Sequence, residues 1–309
     1  MENQRLNDIR NEVARIIRGK DEVIERILAA ILAEGHVLME DIPGVGKTTL
    51  ATTFARTMSL KYHRVQFTPD VLPSDLLGFS MYDRNAEAFV FREGSVFCNL
   101  FLADEINRTS PKTQSALLEV MEERQASVEG ETRPLPSPFI VIATQNPSGA
   151  SGTQLLPESQ LDRFMIRVSM GYPSHGDAVD ILKGEVWENL GTVSKILSLE
   201  ELVGLQDMCK KVFVHESLYD YMVSIVEKTR SHDYFSSGAS PRGSIALLRM
   251  SRAMAMMAGR DFVTAEDVQK ICTDVLSHRV KLATRAQAEG KKLSDCIRQA
   301  MIEITPPRI

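Results

Sequence analysis

The chain has 309 residues, 43% hydrophobic and 25% charged, the proportions of a soluble globular protein long enough for two cores. A net charge of −5 without any basic block counts against nucleic acid as the main partner. The polar start, Met1-Glu2-Asn3-Gln4-Arg5, is no signal peptide, no apolar run is long enough to span a bilayer, and the four scattered cysteines form no metal-type pair, so a cytoplasmic location with reduced thiols is expected.

In chain order, apolar positions at Leu6, Ile9, Val13, Ile16 and Ile17 predict an amphipathic helix. Gly19 breaks it, and Val23, Ile24, Ile27, Leu28, Ile31 and Leu32 predict a second helix ending near Gly35. Val37-Leu38-Met39 reads as a strand, and Leu50, Phe54 and Met58 carry helical spacing. Between them runs Asp41-Ile42-Pro43-Gly44-Val45-Gly46-Lys47-Thr48, a strand, glycine loop, helix arrangement in which backbone N–H groups and a helix N-terminus cradle a polyphosphate. Gly44 and Gly46 free the loop from Cβ clashes, Lys47 reaches the β- and γ-phosphates, and the Thr48 hydroxyl ligates Mg²⁺. The nucleotide-binding stretch is read as Asp41 through Thr49. The pattern G-x-x-x-x-G-K-[ST] wants glycine where Asp41 stands, and a carboxylate there should be held away from the phosphates or weaken their binding. The turn from Ile17 to Lys20 either lines an adenine pocket or simply joins two helices.

Tyr62 to Phe67 predicts a second strand, Asp70 to Gly78 is turn-rich, and Ser80 to Glu93 predicts a hairpin with Phe89-Val90-Phe91 in its second arm. Ser95 to Ala103 is nearly all apolar and predicts a strand buried on both faces, ending in Asp104-Glu105. Acids at the carboxyl end of such a strand fall in the crevice where α/β sheets bind ligands. Asp104 is the candidate Mg²⁺ ligand and Glu105 the general base that polarises the attacking water.

Ser110-Pro111 opens a helix with Leu117, Leu118 and Met121 on its apolar face and Glu119, Glu122, Glu123 and Arg124 on its solvated one. A hairpin follows from Gln125 to Leu135, then the strand Phe139 to Ala143, whose end brings Asn146 beside the acids. Asn146 either orients the hydrolytic water or touches the γ-phosphate, or is an ordinary Asn-Pro turn residue. Leu161-Asp162-Arg163-Phe164 leads into a fifth strand, Met165 to Ser169, and on spacing alone Arg163 reads as a surface charge. Beyond the break at Tyr172 to Gly176 strands disappear and helices follow, with Ser198 and Glu201 as a capping box and Ile245, Leu248, Ala253 and Met254 as one apolar face. Ser240-Pro241-Arg242-Gly243 opens one of these helices, a place from which Arg242 could point back at a bound phosphate.

This ordered series resembles an AAA+ ATPase, specifically the MoxR family. The matching residues are Asp41 to Thr48 (Walker A), Gln66 to Asp70, Leu100 to Arg108 (Walker B onward), Pro111 to Arg124, Ala143 to Pro147 (sensor 1), Leu156 to Phe164 and Ser240 to Gly243 (sensor 2). The resemblance implies an α/β fold: an AAA+ P-loop core with a parallel sheet flanked by helices over residues 1–175, and a smaller all-α lid over 176–309. It further implies a helix-2 insert at about 78–94, a pre-sensor hairpin at about 125–138, Arg163 as arginine finger and Arg242 as sensor 2 arginine. Two departures stand out: Asp41 itself, and Ser148 to Gln154, where the family has an acidic residue and then Gly-Thr-Tyr.

By the same resemblance the chain hydrolyses ATP with Mg²⁺ in a homo-oligomeric ring, a hexamer, and remodels or matures partner proteins carrying von Willebrand factor A domains. The alternatives are the ATPase subunit of a metal chelatase, a nucleic-acid motor, or a nucleotide-gated scaffold. A hairpin that mixes Arg124 and Arg133 with Glu129 and Glu131 is a poor phosphate-tracking surface. Intact Glu105 and Arg163 disfavour the scaffold.

Overall fold

A computed structural model describes residues 2–41, 44–146, 156–183 and 191–308. The two N-terminal helices, α1 (Glu2–Ile16) and α2 (Asp21–Leu32), follow the predicted apolar spacing. They lead through β1 (Val37–Glu40) and the glycine loop into α3 (Lys47–Thr57) and β2 (Tyr62–Gln66). The turn-rich stretch contains a short helix, α4 (Pro73–Leu77), before the hairpin β3 (Gly78–Asp83) and β4 (Ala88–Glu93). Phe79, Met81, Tyr82 and Phe89 are exposed on it, and the Tyr82 and Phe89 rings meet edge to face at 5.6 Å.

The next strand, β5 (Leu100–Asp104), is shorter than predicted. Ser95 to Asn99 is not strand, because Asn99 turns its side chain onto the backbone of Lys61 and Pro138 and Ser95 bonds back to Asp75. The apolar residues before it, Val96, Phe97 and Cys98, are buried without being in the sheet. A 3₁₀ turn (Ile106–Arg108) leads to α5 (Pro111–Glu123), capped by the Ser110 hydroxyl. Then come the hairpin β6 (Gln125–Val128) and β7 (Glu131–Pro134), β8 (Ile140–Gln145), α6 (Glu158–Leu161), β9 (Ile166–Val168) and α7 (His175–Leu182).

The sheet is parallel, in the order β2-β5-β8-β1-β9. Its alternating residues build two cores. Val37, Met39, Leu100, Leu102, Ile140 and Ile142 face one way, and Leu38, Phe101, Ala103, Val141 and Ala143 the other. The order reverses at β1, so the carboxyl ends of β1, β5 and β8 open onto one crevice.

The C-terminal region is built from α8 (Leu199–Lys210), α9 (Glu216–Ser231), α10 (Pro241–Met257), α11 (Ala265–Leu276), α12 (Thr284–Ala288) and α13 (Leu293–Ile302). The Ser198/Glu201 capping box forms as read. The region is not wholly helical: β10 (Phe235–Ser237) pairs antiparallel with β11 (Lys281–Leu282). On α10 the buried face is Ala246, Leu247, Met250, Ala253 and Met254, while Ile245 is 56% exposed, so its assignment to the core face is corrected. α11 packs on the edge strand β9, and Arg167 of β9 donates to the hydroxyl and carbonyl of Ser277. No described helix is long and apolar enough to cross a membrane.

Candidate active site

The glycine loop exists because two glycines take backbone angles that side chains avoid. Gly44 and Gly46 sit at φ +85° and +92°, and a Cβ on Gly44 would project into open space. That space is a cavity of ≈ 470 Å³ lined by the loop, the start of α3, the ends of β5 and β8, and the turn after α1. Gly46 caps α3 with no side-chain acceptor, so among the described residues the helix start has no side-chain cap. The open face of Gly44, a helix start without a side-chain cap and a buried lysine fit a polyphosphate. Lys47 is only 7% exposed and donates to the Asp41 carbonyl at 2.8 Å. Burial pushes its ammonium below the ordinary value, against the opposing pull of Asp41, Asp104 and Glu105. Thr48 and Thr49 line the same cavity. Ile42 and Pro43 lie outside the described residues.

The acids stand where the strand end was expected to bring them. Asp104 accepts from Thr144 Oγ1 at 2.7 Å and pairs with Arg64 at 2.8 Å. Glu105 has left-handed backbone angles, φ 58° and ψ 48°, which a non-glycine residue takes only when its surroundings impose them. Its amide donates to the Thr144 hydroxyl at 2.9 Å, so one threonine fixes both acids. Oε1 of Glu105 accepts from Asn146 Nδ2 at 3.0 Å and Oε2 from Arg108 Nη1 at 2.5 Å. Burial works to raise the Glu105 pKa, but the bonds from Arg108 and Asn146 outweigh it and hold the carboxyl below its usual value. Asn146 Oδ1 is buried and unpartnered among the described residues.

Asp41 is not among the residues that line the cavity. Its carboxylate is turned onto the segment after β9, where Ser169 Oγ, Met170 N and Gly171 N all donate to it. Of the two readings of Ile17 to Lys20, the cavity favours the pocket: Ile17, Arg18 and Lys20 line it with Met170 and Pro173.

Arg163 and Arg242 lie elsewhere. Both line a second cavity of ≈ 270 Å³ that shares no residue with the first, so Arg242 does not point at its own phosphate loop as its helix start suggested. Glu122 of α5 explains the placement: Arg163 Nε is 3.0 Å from its Oε2, and Arg242 pairs with its Oε1. Glu122 lies on the exposed face of α5, as read, and from there it engages both arginines. Arg124, Arg249 and Arg279 line the same cavity.

Sequence reasoning did not single out Arg64, Thr144 or Arg108. Arg108 carried a faint signal, its i+3 spacing from Glu105. Thr144 and Arg64 become visible only once β5 lies between β8 and β2. The atypical Ser148 to Gln154 loop lies outside the described residues.

A phosphate loop, two acids at one strand end, a polar residue at the next and a helical C-terminal region define an AAA-type ATPase core with its lid. The family described as "ATPase family associated with various cellular activities (AAA)" matches residues 36–166, and the "AAA lid domain" matches 227–300. The chain is 41% identical to Chaperone MoxR1 of Mycobacterium tuberculosis, over 96% of this chain and 81% of that one. It is 44% identical to the Bacillus subtilis protein YeaC, over 96% and 92%, and 28% identical to Protein MoxR of Methylorubrum extorquens, over 96% and 93%. A crystal structure from Cytophaga hutchinsonii superposes with TM-score 0.91 at 36% identity, covering 99% of this chain and 96% of that one. The chain belongs to the MoxR family of AAA+ ATPases, and its enzymatic activity is ATP hydrolysis.

Proposed function

We propose that this protein hydrolyses ATP with Mg²⁺ at subunit interfaces of a homo-oligomeric ring, a hexamer, and uses the turnover to remodel partner proteins. In this reading the Thr48 hydroxyl and the Asp104 carboxylate hold the magnesium ion, which supplies charge neutralisation for the phosphates. Lys47 and the amides of the glycine loop bind the triphosphate. Glu105 takes the proton of the attacking water, and the unpartnered Asn146 Oδ1 is suited to orient that water beside it.

The observation that carries the reading is the division of labour between two cavities. Lys47, Asp104, Glu105 and Asn146 share one, while Arg163 and Arg242 stand in another with no residue in common. Arginines that stabilise charge on the transferring phosphoryl group cannot serve their own site from there, which supports a neighbouring copy as the recipient. The remodelling role is supported by the relative named a chaperone and by the exposed apolar hairpin β3–β4. Von Willebrand A-domain proteins as clients, and a cytoplasmic location, extend the family resemblance to this chain. A nucleic-acid motor is disfavoured because Arg133 pairs with Glu131 and Arg124 with Glu34, which neutralises the basic groups of the β6–β7 hairpin.

The test is a pair of variants. Lys47→Ala is expected to abolish nucleotide binding. Glu105→Gln is expected to keep binding and lower turnover by about 10²–10⁴-fold. Normal hydrolysis by Glu105→Gln would remove the base from the mechanism.

A further inference from the structure

The residue that breaks the phosphate-loop pattern is held on both its backbone and its side chain. Asp41 is 5% exposed, and three consecutive residues donate to its carboxylate. Ser169 Oγ (2.6 Å) and Gly171 N (3.0 Å) meet Oδ1, and Met170 N (2.7 Å) meets Oδ2. The same residue's carbonyl accepts from Lys47 Nζ at 2.8 Å. Asp41 therefore holds the phosphate-binding lysine with its backbone and the chain leaving β9 with its side chain.

That chain is a wall of the nucleotide cavity. Met170 and Pro173 line it together with Ile16 and Ile17, which gives this part of the cavity an apolar surface suited to a base. The wall stands against the phosphate loop: a Cβ on Gly46 would lie 3.9 Å from both the Ile17 and the Met170 side chains. Lys20 Nζ donates to the Tyr172 carbonyl at 2.8 Å, which ties the segment to the turn after α1 as well.

We infer that Asp41 is a positioning residue that fixes the base-side wall, chiefly Met170, against the phosphate loop, and so governs affinity for the adenosine part of ATP rather than for its phosphates. The inference rests on the nucleotide reading of this cavity. Charge-assisted bonds to a buried carboxylate are strong and geometrically exacting. Without that acceptor, the buried Met170 amide, the part-buried Gly171 amide and the Ser169 hydroxyl lose their partner, and the segment shifts to find others. Met170 is unbranched and flexible, so its place in the wall depends on where its backbone is held. Glycine supplies no acceptor. Asparagine supplies a single acceptor oxygen and turns an NH₂ toward a donor.

Calorimetric titration with ATP and, separately, with inorganic tripolyphosphate tests this, with every protein carrying Glu105→Gln to prevent turnover. ATP affinity is expected to fall about tenfold in Asp41→Gly and in Met170→Ala, and less in Asp41→Asn, while tripolyphosphate affinity stays within about twofold. The double variant is expected to be no weaker than Asp41→Gly, because both substitutions disable one wall. Equal changes for both ligands in Asp41→Gly, or tighter tripolyphosphate binding, would show that Asp41 acts on the phosphates and overturn the inference. Met170→Ala keeps Asp41 and its bonds, so unchanged ATP affinity there overturns it even if Asp41→Gly folds poorly. Failure of the parent protein to bind ATP at all would instead overturn the nucleotide reading itself.

Discussion

Arg108 Nη1 lies 2.5 Å from Oε2 of Glu105, three residues back along the chain. The pair decides how the Glu105 carboxyl, the proposed base, titrates. Burial favours the protonated acid, and the Arg108 and Asn146 bonds reverse that preference. A carboxyl held below its ordinary value is ionised at neutral pH and is lost as a base only as pH falls through its lowered pKa. Arg108→Ala removes both a hydrogen bond and a charge, so the acidic limb of kcat/KM against pH is expected to move to higher pH. Arg108→Lys, which keeps the charge, moves it less. An acidic limb that stays in place in Arg108→Ala would detach Arg108 from the base.

Arg163 and Arg242 meet on Glu122, away from their own phosphate loop. Arg163→Ala is expected to bind ATP and lose about 10³–10⁵ in turnover. Mixing it with Lys47→Ala gives interfaces that join an intact loop from one subunit to an intact arginine from the other, so activity is expected to return in the mixture. With mixed assembly shown independently, absence of rescue at every ratio assigns Arg163 a role within its own subunit.

Arg279 has a side chain only 2% exposed, paired with Asp162 at 2.9 Å and donating to the Asp162 and Met165 carbonyls. Burial lowers its pKa to about 10 in spite of Asp162. Asp162→Ala leaves that cation buried without its counter-charge, at a cost of about 3–5 kcal/mol. The denaturation midpoint should fall accordingly, and Asp162→Asn should fall less. An unchanged midpoint in Asp162→Ala would mean that the carbonyls alone satisfy the guanidinium.

His36 is buried, its Nδ1 accepting from the Val141 amide at 3.0 Å and its Nε2 within 2.9 Å of the Met121 carbonyl. Burial lowers its pKa from 6.5 to about 4. Between those values the unfolded chain takes a proton that the folded one refuses, so stability rises with pH across the window and falls on acidification. The slope from this one group is at most about 1.4 kcal/mol per pH unit. Denaturant titrations at several pH values should show it, and His36→Gln should flatten it. A variant with the parent's slope would assign the acid sensitivity elsewhere, His278 being the other buried histidine with a lowered pKa.

The phosphate loop was legible because its requirements are local: two glycines at positive φ, a lysine, and apolar runs on either side. The acidic strand end was legible for the same reason. What stayed hidden depends on residues far apart in the chain. Nothing near Asp41 announces that Ser169 to Gly171 will occupy its carboxylate, and nothing near Arg242 announces Glu122. The start of β5 was misread because Val96, Phe97 and Cys98 are as apolar as a strand, while Asn99 holds the backbone in another path. Ile245 was misread because a helix start allows an apolar side chain to face outward, and this one lines the arginine cavity.

One of the two apolar cores does not stop where the motifs divide the chain. It runs from α1 and α2 beneath the sheet into Leu202, Leu218, Ile225, Leu247 and Ile271 without a break, and α11 lies over the edge strand β9. A nucleotide-binding half produced alone, ending after β9, would therefore carry an uncovered strand edge and a stripped apolar face. Both are templates for self-association into insoluble material. The lid thus also covers apolar surface that the nucleotide-binding half would otherwise expose to water.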